Sequence, residues 1–149
     1  MLGLLLIAQS VMVPAASPPE SRLSAPATDA LTLVIADAIE QTDPRPLCGE
    51  PNCTFMFLGR FNNARVLAGP ELSRSFSARL EMGSPFTSRY RLALIVERRP
   101  GAEAVVRAAT GFNGRTRSAC FEPADIDRLG WAPSGPGITM ERGALCVTE

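Results

Sequence analysis

Tyr90, Leu92, Leu94 and Val96 alternate with Arg89, Arg91 and Glu97, a period of two that predicts a strand with one apolar and one charged face. Arg98-Arg99-Pro100-Gly101 follows, with Pro and Gly placed for the two central positions of a type II turn. Ala104–Ala108 then reads as the returning strand. Asn113-Gly114, the strongest short hairpin signal, separates residues 109–112 from Arg115-Thr116-Arg117-Ser118-Ala119-Cys120. Residues 89–121 are therefore expected to form a three-stranded meander.

Upstream, Thr54–Leu58 begins a strand in which Gly59 marks a bulge or bend. Arg65-Val66-Leu67 continues it or returns past Asn62-Asn63, and Ser75–Leu80 is a further strand. Leu31–Ile39 suits a helical stripe or a strand, and the run Leu31-Thr32-Leu33-Val34-Ile35 favours the strand. Residues 122–130 predict a short helix with Pro123 in its first turn and Gly130 just past its end. Trp131 is expected to fold onto the core, and Gly143–Val147 to close the chain as a strand. Short strands with frequent turns and one short helix point to a small barrel or sandwich.

The first fifteen residues, Met1 to Ala15, are mostly apolar and end in Pro and a small residue, as a secretory signal peptide does. Leu2–Val13 is too short to cross a bilayer, which takes about 20 apolar residues. Residues 1–16 are read as the leader, cleaved after Ala15 or Ala16, although a basic n-region is absent. Residues 17–27, rich in Pro and Ser, form a flexible linker. Residues 28–149 make one domain, long enough to bury a real core. Export places that domain in the periplasm or outside the cell.

Composition narrows the chemistry. The chain has no histidine, which excludes Ser-His-Asp and Cys-His catalysis, imidazole proton shuttles and histidine metal sites. Its net charge is zero, so no global field draws it to nucleic acid or an anionic membrane. All fifteen cations are Arg; the lack of Lys reads as the coding bias of a GC-rich bacterium. Glu81, Glu97, Glu103 and Glu122 show no paired-carboxylate signature. No cofactor is expected.

Four cysteines allow three pairings. The Gly/Pro loop between Cys48 and Cys53 favours one bridge there and a second between Cys120 and Cys146. The spacing suits neither a C-x-x-C redox centre nor a four-cysteine zinc site. Arg89 and Arg91 share one strand face, and Arg115 and Arg117 share another nearby. Were the two faces to coincide, four guanidiniums would form a site for an anionic glycan, a lipid or an acidic protein of the envelope. An ordinary face neutralised by Glu97 and Glu103 is the alternative.

Phe57-Leu58-Gly59-Arg60, followed by Arg65-Val66-Leu67-Ala68-Gly69-Pro70, resembles the opening strands of netrin-like OB-barrel modules of secreted proteins over residues 31–97. With the strand pattern, that resemblance points to a mainly β fold: a small closed or partly open antiparallel OB-like barrel with the one short helix, preceded by the signal-peptide helix read from residues 1–16. Metalloprotease-inhibiting members of that family chelate zinc with a cysteine at the mature N-terminus. Here that residue is Ala or Ser, so the inhibitory chemistry does not carry over. A non-catalytic binding or envelope-associated module is the expected function. The alternative is a hydrolase, or an inhibitor of an extracellular enzyme, acting through carboxylates or loop contacts.

Overall fold

Leu31–Pro46 forms one long strand, β1, so the apolar run at its start is a strand and not a helix. It belongs to a computed structural model that describes residues 27–46, 54–82 and 90–149. Phe55–Ala68 is β2, Phe76–Met82 is β3, Tyr90–Glu97 is β4 and Ala104–Gly111 is β5. β2 runs through Gly59 and Asn62-Asn63 without turning back. These five strands close into a barrel in the order β1-β2-β3-β5-β4, the OB-like arrangement. β1 is the spine, pairing antiparallel with β2 on one side and β4 on the other.

The barrel is mixed, not wholly antiparallel. β4 pairs with β1 and then hairpins into β5, which returns β5 alongside β3 in the same direction. This parallel pairing covers only Ala78 with Ala104 and Arg79 with Val105. The Arg99–Ala102 turn that makes the β4–β5 hairpin is closed by the Ala102 amide donating to the Arg99 carbonyl and has Gly101 at φ +72°, as a type II turn requires.

Two apolar cores meet at the barrel wall. Val34, Phe57, Phe61, Leu80, Leu94 and Val106 help fill the barrel interior. Ser118–Phe121 (β6), Ile138–Glu141 (β7) and Ala144–Thr148 (β8) form a second sheet in the order β6-β8-β7. With the helix α1, Pro123–Leu129, this sheet covers the outside of the barrel. Phe121, Ile126, Leu129 and Leu145 cluster there with Leu33 and Ile95, and Trp131 packs against them. Each such side chain taken from water contributes about 1.5–3 kcal/mol. β4 is consequently buried on both faces from Leu92 to Glu97, which corrects the expectation of one charged face. The unbroken apolar run Leu92–Val96 is what a doubly covered strand demands.

The predicted meander is also corrected. β4 and β5 pair, but β6 leaves the barrel and joins β8. Asn113-Gly114 opens a wider turn than a two-residue hairpin: the Asn113 side-chain oxygen accepts from the amides of Arg115 and Thr116. The Arg117 amide donates to the Asn113 carbonyl. The tight hairpin lies elsewhere, between β7 and β8, where Arg142 and Gly143 both have positive φ (52° and 87°), as a type I′ turn requires. α1 carries Pro in its first turn and ends at Gly130, left-handed at φ 59°. Cys120 and Cys146, directly opposed in the β6/β8 register, form a disulfide. The leader of residues 1–16, the linker up to residue 26, the Cys48–Cys53 bridge and Arg89 lie outside the described residues.

Gly69 ends β2 at φ +89°, and a Cβ there would sit 2.2 Å from the Leu31 carbonyl oxygen. Gly69→Ala is expected to lower stability by about 2–4 kcal/mol in urea unfolding. Gly101→Ala, at φ +72° with nothing within 4 Å of the added carbon, should cost only about 1 kcal/mol. Equal losses at the two sites would refute the close approach at Gly69. Reduction, or replacement of Cys120 and Cys146 by Ser, is expected to remove about 3 kcal/mol, because the bridge closes a 26-residue span.

Candidate functional site

β5 contains one residue more than its partner strand needs. Val106 opposes Val96 and Ala108 opposes Ile95, which leaves Arg107 as the extra residue of a β-bulge. The insertion reverses the alternation. Val106 belongs to the barrel interior, whereas Ala108, two residues on, packs into the outer core.

The bulge turns the Arg107 guanidinium onto Glu97, whose side chain is only 3% exposed. Glu97 Oε2 accepts from Arg107 Nε at 2.6 Å and pairs with Arg107 Nη2. Its other oxygen accepts from Arg99 Nε at 2.6 Å. Burial pushes the Glu97 carboxyl up, but the hydrogen bonds and charges of Arg107 and Arg99 outweigh it and hold the group below its ordinary range. The carbonyl of Arg107 accepts from Arg128 Nη2 at 3.0 Å, and the same nitrogen donates to Asp125 at 2.9 Å. A residue of α1 thus caps the bulge.

Next to the bulge the barrel opens. Among the described residues, no ladder joins β3 to β5 beyond Arg79 and Val105. A cleft of about 380 Å³ lies along this seam. Leu80 and Glu81 line it from β3, Val106 to Ala109 from β5, Met56 from β2 and Arg128 from α1. Arg79 stands on the rim, its Nε paired with Glu103. The floor is apolar and the rim is rich in guanidinium, with strand backbone on both sides. Such a surface can hold an extended molecule by hydrogen bonds and anchor its anionic groups. Both oxygens of the neighbouring Glu97 are occupied by arginines.

Of the four arginines singled out in the sequence, Arg89 lies outside the described residues, and Arg91, Arg115 and Arg117 are not brought onto one strand face. Arg91 is on β4, where its guanidinium donates to Asp37 at 2.9 Å and to Glu149. Burial alone would lower the pKa of that guanidinium, but these two carboxylates raise it. Arg115 and Arg117 lie in the exposed turn before β6, with Arg117 at φ 50°. A turn has no two-residue alternation, so they present no shared face. The expected neutralising acids serve other arginines: Glu97 takes Arg99 and Arg107, and Glu103 takes Arg79. A second polar hollow, beside Asp37, Asn63 and Tyr90, is bound together by Asn63 Nδ2 donating to Asp37 at 2.8 Å.

Sequence reasoning missed Arg79, Arg107 and Arg128 because a bulge and a seam are tertiary facts. The visible signal was Glu97, an acid ending a continuous apolar run and followed by two arginines. No protein-family model, curated protein or solved structure matches this chain.

Glu97→Gln is expected to cost about 3–5 kcal/mol at neutral pH, because it strands the Arg107 guanidinium, itself only 11% exposed. Arg99 is 46% exposed, so Arg99→Gln should cost under about 1 kcal/mol. A carboxyl held below its ordinary range stabilises the fold above that range, and the contribution is lost as pH falls through the lowered value. The gap between wild type and Glu97→Gln should therefore narrow in strong acid. A pH-independent gap in denaturation would contradict this.

Proposed function

We propose that the chain is an exported, non-catalytic binding module of the bacterial envelope, and that the cleft at the β3/β5 seam is its ligand site. The observation that carries this reading is the cleft itself, where apolar floor, guanidinium rim and strand edges converge. The supporting facts are chemical. The chain has no histidine, and the buried carboxylate of Glu97 is held ionised with both oxygens taken by Arg107 and Arg99, which withdraws it from acid–base use. The Cys120–Cys146 bridge suits an oxidising compartment. We read the resemblance to netrin-like modules in the same sense, as a barrel that presents a binding surface without the zinc-chelating N-terminus.

Two measurements test this. Intact mass of the native protein should give a chain beginning at Ala16 or Ser17 in the periplasmic fraction. A cytosolic protein retaining Met1 would overturn the export reading. For the site, Ala109 lines the cleft and is exposed, so Ala109→Trp should fill it. Immobilised wild type and the control Thr139→Trp, altered on the second sheet, should retain the same envelope component, and Ala109→Trp should lose it. Equal retention by all three, or by none, contradicts the assignment of the cleft.

A further inference from the structure

Building on that assignment of the cleft, we infer that its ligand is an extended acidic peptide, which adds to the barrel as a strand at the β3/β5 seam. The first observation is backbone geometry. β3 continues through Leu80, Glu81 and Met82, paired with β2 on one side. β5 continues through Ala108 to Gly111, paired with β4 on one side. Among the described residues, parallel pairing between them stops at Arg79 and Val105, so both strands turn an edge toward the cleft. A strand edge offers N–H and C=O groups in a row, and an extended peptide satisfies them whatever its side chains. The outward carbonyl at the bulge, that of Arg107, already takes a donor from Arg128. A peptide amide is the same kind of donor.

The second observation is charge and donor capacity. Among the described residues lining the cleft are Arg79, Arg107, Arg128 and one acid, Glu81, and the three arginines pair with Glu103, Glu97 and Asp125. Their internal bonds leave donors unused, because a guanidinium has five N–H groups. Arg79 engages Glu103 through Nε, and Arg128 engages Asp125 and the Arg107 carbonyl through Nη2. Arg79 and Arg128 are each more than half exposed, at 56% and 55%. Carboxylates on alternate residues of an added strand all point to one side of it. On the rim side they meet the Arg79 and Arg128 guanidiniums, and the intervening apolar residues meet the partly exposed Met56 and Val105. Alternating acidic and apolar residues are therefore the recognised pattern.

The test uses the isotope-labelled mature protein and a pool of octapeptides alternating Glu with Val, Thr or Ile, followed by two-dimensional amide NMR. Amides of Leu80, Glu81 and Arg107 to Ala109 should shift, and Ala109→Trp should abolish the effect. The same peptides with Lys for Glu, or with alternate amides N-methylated, should bind about tenfold more weakly or worse. Undiminished binding of the N-methylated pool would overturn strand addition, and equal binding of the Lys pool would overturn the acidic requirement. A sulfated oligosaccharide serves as the comparison. If it shifts the cleft amides and the peptides do not, the inference fails while the cleft remains a ligand site. If no probe shifts them, the inference fails, and retention by Ala109→Trp judges the site independently.

Discussion

One inserted residue, Arg107, sets the relation between the two halves of this protein. A strand without an insertion keeps Val106 and Ala108 on the same face, but the outer core needs Ala108 and the barrel interior needs Val106. The bulge resolves that conflict. It also directs a guanidinium onto Glu97, a carboxylate that burial would otherwise force to take up a proton. The two arginines keep it charged, and the charged carboxylate in turn fixes the course of the bulged strand. Such a pair adds little net stability over an apolar replacement, yet losing one partner is costly. Its effect is to specify one arrangement of β5.

The cleft follows from the same feature. Beyond Val105, β5 leaves β3 and serves the second layer. The edges that part there belong to the barrel's weakest seam, a parallel pairing of two residue pairs. Cohesion is concentrated on the opposite side, where β1 and β4 are covered on both faces and Leu33, Ile95, Phe121 and Leu145 are sealed from water. A ligand entering at the seam therefore leaves that double-faced wall undisturbed. This division between a rigid double-faced wall and an open edge is how small barrels carry binding sites on a stable frame.

What the sequence disclosed was local. Pro100-Gly101 and the flanking alternation revealed the β4–β5 hairpin, Pro123 and Gly130 bounded the helix, and the apolar run from Leu31 gave β1. β7 escaped notice because its turn uses Arg142 at positive φ, a residue type that carries no such signal. β6 was placed in the wrong sheet because strand pairing depends on what each strand can bury, and its partner β8 is more than twenty residues away. The site was least legible of all. Arg91, Arg115 and Arg117 looked like a patch because alternation was assumed to continue through what is a turn. Arg107 and Arg128 meet only because a bulge and a helix end converge, and nothing in their spacing records that.

Residue-resolved hydrogen exchange on the native protein tests this division most directly. The account predicts that amides of β1 and β4 exchange only on global unfolding. In the same protein, cleft-facing amides among Leu80, Glu81 and Arg107 to Ala109 should exchange through local openings of much lower free energy. Uniform protection across β3, β4 and β5 would mean that the seam is closed, and it would contradict both the open edge and the site built on it.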